Sequence, residues 1–110
     1  MEVKTRTEKL VVVISIKGRI DTVAASELEK RISETIDSVK NILILNMSEV
    51  DYISSTGLRV VLSSAKEIKA KQGEILLVGV QGLVKKVFEM SGFSMMFKIF
   101  ETEEDALKQE

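Results

Sequence analysis

Apolar residues along this chain follow two rhythms, and the two alternate. Leu10 to Ile16 is β-branched and almost continuously apolar, broken only by Ser15; such a run predicts a strand covered on much of both faces. Ile42–Leu45 and Glu74–Val78 repeat the pattern in shorter form, and Phe97–Phe100 supplies a last strand. Between these runs the spacing changes to three and four. Ala25, Leu28, Ile32 and Ile36, with Val39 beyond, make one stripe; Leu58, Val61, Leu62, Ala65 and Ile68 make a second; Leu83, Val84, Val87 and Phe88 make a third. Each stripe predicts an amphipathic helix. Residues 2–8 alternate weakly and predict a short edge strand, joined to the next by a turn at Glu8-Lys9.

Polar and glycine positions punctuate these elements. Lys17-Gly18-Arg19 ends or bends the second strand, and Asp21 or Thr22 can cap the first helix. Asn46-Met47-Ser48-Glu49 predicts a turn after a short third strand. The second helix runs from Gly57 to about Lys71 and stops at Gln72-Gly73. Gly79 to Gly82 is a loop, and the third helix ends near Met90-Ser91-Gly92. Thr102-Glu103-Glu104-Asp105 has the form of a capping box with Asp in place of the usual Glu, so a short C-terminal helix follows. The order ββαβαβαβα predicts an α/β fold: a mixed, largely parallel sheet with about four helices, right-handed crossovers and an antiparallel first pair. No proline, linker or repeat divides the chain, so residues 1–110 are expected to form a single domain.

Composition removes whole classes of chemistry. The 16 basic and 17 acidic residues leave a net charge of −1, which argues against direct nucleic-acid binding. The chain has no cysteine and no histidine. That excludes disulfides, thiol nucleophiles, thiolate or imidazole metal sites and a Ser-His-Asp triad. There is no Walker-type phosphate loop, and the carboxylates form no evident catalytic pair. Neither a cofactor nor a metal site is expected. The charged N-terminus, Met1 to Arg6, lacks the apolar core of a signal peptide, and the longest apolar run is too short to span a bilayer. A cytoplasmic protein without membrane contact is the expectation.

Candidate chemistry gathers where parallel strands should end. Sites of α/β sheets lie beyond the carboxyl ends of the strands. Three segments fall there: Gly18 to Thr22, Asn46 to Gly57, and Gly79 to Gly82. The second contains Ser54-Ser55-Thr56, three consecutive hydroxyls between a strand and a helix. A hydroxyl here can cap the helix amides. Alternatively, an exposed one can accept a phosphate, gaining about −1.5 to −2 charges.

These residues carry a resemblance. Asp51-Tyr52-Ile53-Ser54-Ser55-Thr56-Gly57-Leu58 resembles the signature of anti-sigma factor antagonists, small bacterial members of the STAS domain family. Their pattern is Asp-Ser-[Ser/Thr]-Gly-Leu opening a helix; Ser55-Thr56-Gly57-Leu58 matches it, and Ser54 stands where Asp is common. Gly18-Arg19-Ile20-Asp21 resembles their Gly-x-[Leu/Ile]-Asp before the first helix. The resemblance covers nearly the whole chain. It implies a phospho-switched binding protein that is not an enzyme. The partner would be an anti-sigma factor that is also a serine protein kinase, released from its sigma factor when the unmodified antagonist binds. A serine phosphatase would act on the phosphorylated form.

On this reading Ser55 is the phosphorylation site, with Ser54 and Thr56 as alternates. The expected partner contacts are Asp21, Ser54, Ser55, Thr56, Gly57 and Arg59. Each also has a plainer role. Asp21 can simply cap the first helix, Asn46 and Ser48 can satisfy backbone groups in the turn, and Arg59 can be solvated surface. Gly57 would let a partner's backbone or a phosphate approach the helix start. Phe93, Phe97, Met90, Met95 and Met96 are expected as core plus a loop, or as an adaptable contact surface. The alternatives for the whole chain are a nucleotide or small-ligand sensor using the same rim, and a STAS scaffold that is not phosphorylated.

Overall fold

Strand β1 (Glu2–Glu8) and strand β2 (Val11–Ile20) form the antiparallel hairpin that opens the chain. The computed structural model describes residues 1–108. Helix α1 (Thr22–Ile36), strand β3 (Ile42–Ile53), helix α2 (Ser55–Ala70), strand β4 (Glu74–Val78), helix α3 (Gly82–Met90), a 3-10 turn at Phe93–Met95, strand β5 (Lys98–Phe100) and helix α4 (Glu103–Leu107) follow. The sheet order is β1-β2-β3-β4-β5, and every pair after the first is parallel. Element order and sheet type are those expected from the apolar rhythms.

Strand residues alternate between two apolar layers. One layer joins Val12, Ile14, Leu43, Leu45 and Leu77 to Leu28 of α1, Val61 of α2 and Phe88 of α3. The opposite layer joins Val11, Val13, Ile42, Ile44, Leu76 and Val78 to Ala106 of α4. Consecutive right-handed crossovers running in one direction along the sheet put all three long helices on the same side. Among the described residues a single short helix, α4, therefore covers the second layer.

The boundaries of β2 and β3 differ from the sequence expectation. Leu10 lies in the hairpin turn beside Lys9 (φ 54°) and is 49% exposed, outside the strand to which its apolar run assigned it. Strand β3 does not stop at Leu45 for a turn at Asn46–Glu49; it continues to Ile53. Strand β4 accompanies it only as far as Asn46, after which β3 pairs with β2 alone through two register shifts, at Ser15/Lys17 and Gly18/Arg19. The shifts break the two-residue alternation, so the buried positions Met47, Val50 and Ile53 fall three apart. Likewise β2 bends at Gly18 (φ 104°) without ending and runs on to Ile20.

Helix α2 begins at Ser55, two residues before Gly57, and its buried face includes Val60 and Ser64 as well as Leu58, Val61 and Ile68. Leu62 and Ala65 are only half-buried. The buried Ser64 hydroxyl donates to the Val60 carbonyl at 2.8 Å, which satisfies it within the helix. The aromatic and methionine cluster divides. Phe88, Phe93 and Phe97 pack against one another with ring centroids 6.1 to 6.3 Å apart, whereas Met90, Met95 and Met96 are exposed.

Candidate functional site

The β2–β3 extension is a two-stranded arm, and the hydroxyl cluster sits at its tip. The arm's last pairs are Arg19 with Tyr52 and Ile20 with Ile53. One residue further on, the Ser54 amide donates to the Ile20 carbonyl at 2.8 Å. Asp21, next after Ile20, caps α1: its carboxylate accepts the Ala24 amide at 2.9 Å and its carbonyl accepts the Ala25 amide at 2.8 Å. The starts of α1 and α2 are thus tied to each other through adjacent backbone, and Asp21 and Ser54 stand side by side as the two caps.

The three hydroxyls have different roles. Ser54 is the cap of α2: its Oγ accepts the Gly57 amide at 3.1 Å, and its carbonyl accepts the Leu58 amide at 3.0 Å. Ser55 is the first helical residue and is exposed; Ser54 and Thr56 are half-buried. The amides of Ser55 and Thr56 precede the first intrahelical bond, and the positive end of the helix dipole lies there. Of the three hydroxyls it is thus Ser54 that caps the helix, which leaves the Ser55 hydroxyl to solvent.

Gly57 is buried and faces inward. A Cβ there would lie 2.8 Å from Cγ1 of Ile53 and 2.9 Å from Cγ2 of Ile20. The missing side chain lets α2 close onto the arm, so the expected approach of a partner or phosphate to this glycine is corrected. Arg59, one turn beyond Ser55, is exposed. It lines a shallow groove of about 220 Å³ between α1 and α2 with Ser26, Glu29, Thr56, Val60 and Ser63. Asp21, Ser55, Thr56 and Arg59 therefore belong to one rim. Among the described residues no group of acidic side chains could hold a metal ion.

Two features of the rim escaped the sequence reading. Arg19 lays its guanidinium 4.3 Å from the centre of the Tyr52 ring, a cation–π contact between paired residues of the arm. Only the shifted register brings them together. Asn46 and Ser48 belong to a longer polar chain. The Ser48 amide donates to Asn46 Oδ1 at 3.0 Å, the Gln81 side-chain amide donates to the Ser48 carbonyl at 2.6 Å, and Asn46 Nδ2 donates to Glu103 Oε2 at 2.5 Å. Arg6 completes it with a 2.8 Å bond to Glu103 Oε1. Arg6 and Asn46 hold the Glu103 carboxyl below the usual range, Arg6 being the larger cause and partial burial opposing both.

A largely parallel sheet with its three longer helices on one face thus carries, beyond its strand ends, a rim of capped helix starts that presents an exposed hydroxyl. The chain belongs to the STAS domain family, whose model matches residues 2–106. It is 36% identical over 91 residues to BtrV, a candidate anti-sigma factor antagonist of Bordetella bronchiseptica, covering 83% of this chain and 78% of that protein. It is 29% identical over 100 residues to the anti-sigma-F factor antagonist RsfB of Mycobacterium tuberculosis, covering 88% and 79%. Among solved structures, that of the Bacillus cell fate determinant SpoIIAA in its phosphorylated form superposes with a TM-score of 0.77 at 25% identity, covering 98% of each chain. No helix among the described residues is long and apolar enough to cross a membrane.

Proposed function

We propose that this protein is an anti-sigma factor antagonist switched by phosphorylation of Ser55. The unmodified form binds an anti-sigma factor and frees a sigma factor for transcription. That anti-sigma factor is also a serine kinase: the Ser55 hydroxyl attacks the γ-phosphorus of ATP, the bond to the β-phosphate oxygen breaks, and ADP leaves while a base of the kinase takes the hydroxyl proton. A separate phosphatase hydrolyses the phosphoserine and restores binding. On this reading the protein is a single-domain cytoplasmic binding module, not an enzyme, and touches neither nucleic acid nor membrane directly.

The observation that carries the proposal is the division of labour between neighbours. Ser54 engages its hydroxyl in the helix cap, and Ser55 offers its own to solvent. The names of the relatives support the partner class. Electrostatics supply the direction of the switch. A phosphate at a helix start is locally favoured by free amides and the dipole, so modification leaves this domain folded. Its effect falls on the interface, where a dianion without a cation opposite loses hydration and meets like charge. A cost of about 4 kcal/mol weakens binding roughly a thousandfold.

Incubation of the full chain with its cognate kinase and ATP, followed by peptide mass spectrometry, tests the assignment. One phosphate on Ser55 is expected. Label confined to Ser54 or Thr56 refutes the site, and nucleotide binding by the isolated protein with no label at all would favour the sensor.

A further inference from the structure

After Asn46 β4 leaves β3, and the ladder with β2 is interrupted at Met47 and Ser48, where side-chain hydrogen bonds hold the strand. Ser48 is the pivot. Its amide is held by Asn46 Oδ1, its carbonyl by Gln81, and Gly79 (φ 73°) packs so closely that a Cβ on it would lie 2.5 Å from the Ser48 Cβ. Asn46 can serve both Ser48 and α4 only in one amide orientation. Its NH2 faces Glu103, and its oxygen then faces the Ser48 amide. The carboxylate accepts and cannot donate, so its charge and place fix that orientation.

We propose that Glu103 is a positioning residue for the acceptor rim. From the first turn of α4, on the face away from α1 and α2, it orients Asn46; Asn46 sets the course of β3 at Ser48; and the arm so directed carries Ser54 and Ser55. Arg6 anchors the carboxylate from the sheet edge. That the rim is the acceptor surface rests on the function proposed above; the mechanical link does not.

Hydrogen–deuterium exchange on the full chain tests the link. Glu103→Ala is expected to speed exchange of the Ser48, Ser54 and Gly57 amides by about tenfold, the scale of one lost hydrogen bond, with α1 unchanged. Glu103→Gln keeps an oxygen acceptor for Asn46 and should restore their protection. Faster exchange confined to α4 and β1 overturns the proposal, because α4 would then be a lid over its own apolar layer and nothing more. So does Glu103→Gln behaving like Glu103→Ala. If Glu103→Ala loosens α1 as well, Asn46→Ala decides: it leaves α4 its apolar contacts, and unchanged Ser54 and Gly57 protection overturns the link, whereas faster exchange at both supports it. None of these readouts uses a partner, so they separate this inference from the phosphorylation reading.

Discussion

The Ser54 hydroxyl accepts the Gly57 amide hydrogen over 3.1 Å, closing the first turn of α2. Removing that oxygen leaves the amide without its cap. Ser54→Ala should therefore cost about 1 kcal/mol, a fall in melting temperature of about 4 °C in a domain of this size. Ser55→Ala, by contrast, should stay within about 0.5 kcal/mol of the parent. Urea titrations of both variants give the comparison; equal losses would contradict the assignment of the cap.

Binding should separate the same neighbours in another way. Ser55→Ala should bind the anti-sigma factor with the parent affinity and resist inactivation by its kinase. Ser55→Asp should bind more weakly, though less so than the phosphoprotein, because a carboxylate carries one charge and fewer acceptor oxygens. Titration calorimetry with that anti-sigma factor measures all three forms, and equal dissociation constants for bare and phosphorylated protein would end the proposal.

Gly57→Ala sets two effects against each other. Alanine gains about 1 kcal/mol of helix propensity. Its methyl would stand under 3 Å from Ile20 and Ile53, two β-branched side chains with little freedom to turn aside. Overpacking of that kind costs about 1–3 kcal/mol, so net destabilisation is expected. A more stable variant would show that the arm yields easily.

Gly79→Ala should be worse, by about 2 kcal/mol or more, since positive φ and contact with Ser48 add together. Pairing it with Ser48→Gly should recover only the part due to the Ser48 Cβ, since the Ser48 Cα and N also lie under 3 Å from the added methyl. Strict additivity of the two substitutions in a thermal melt would mean that they do not touch.

Glu103 gives a dependence on pH with a definite sign. Its carboxyl titrates lower in the folded protein than in the unfolded chain. The unfolded state therefore binds the proton first as pH falls, and the stabilisation, whole above the unfolded value, is lost as pH drops through the folded one. Stability measured from pH 6 to pH 3 should fall less steeply in Glu103→Gln. Parallel profiles would remove the carboxylate from the acid response.

The element order was legible because β-branched runs and helical stripes alternate without a break. The end of β3 was not. Asn46, Ser48, Glu49 and Asp51 are polar, and register shifts erase the alternation that would have revealed the strand. The same shifts hid the contact between Arg19 and Tyr52. At the rim, the hydroxyl triplet announced a helix start, but which serine capped it depended on where the strand ended. Only the backbone of the extended arm decides between Ser54 and Ser55. Gly57 was noticed for its missing side chain, yet its direction, inward towards Ile20 and Ile53, requires the closed arm.

One edge of the sheet bears on how copies of this molecule meet. Glu2, Lys4, Arg6 and Glu8 share one face of β1, an edge strand whose outer backbone groups stand open. An antiparallel self-pairing centred on Thr5, the register that uses the whole strand, would set Glu2 against Glu8 and Lys4 against Arg6, like charges directly opposed. The border strand thereby resists meeting its own twin along its full length, and only shorter, offset overlaps escape the repulsion.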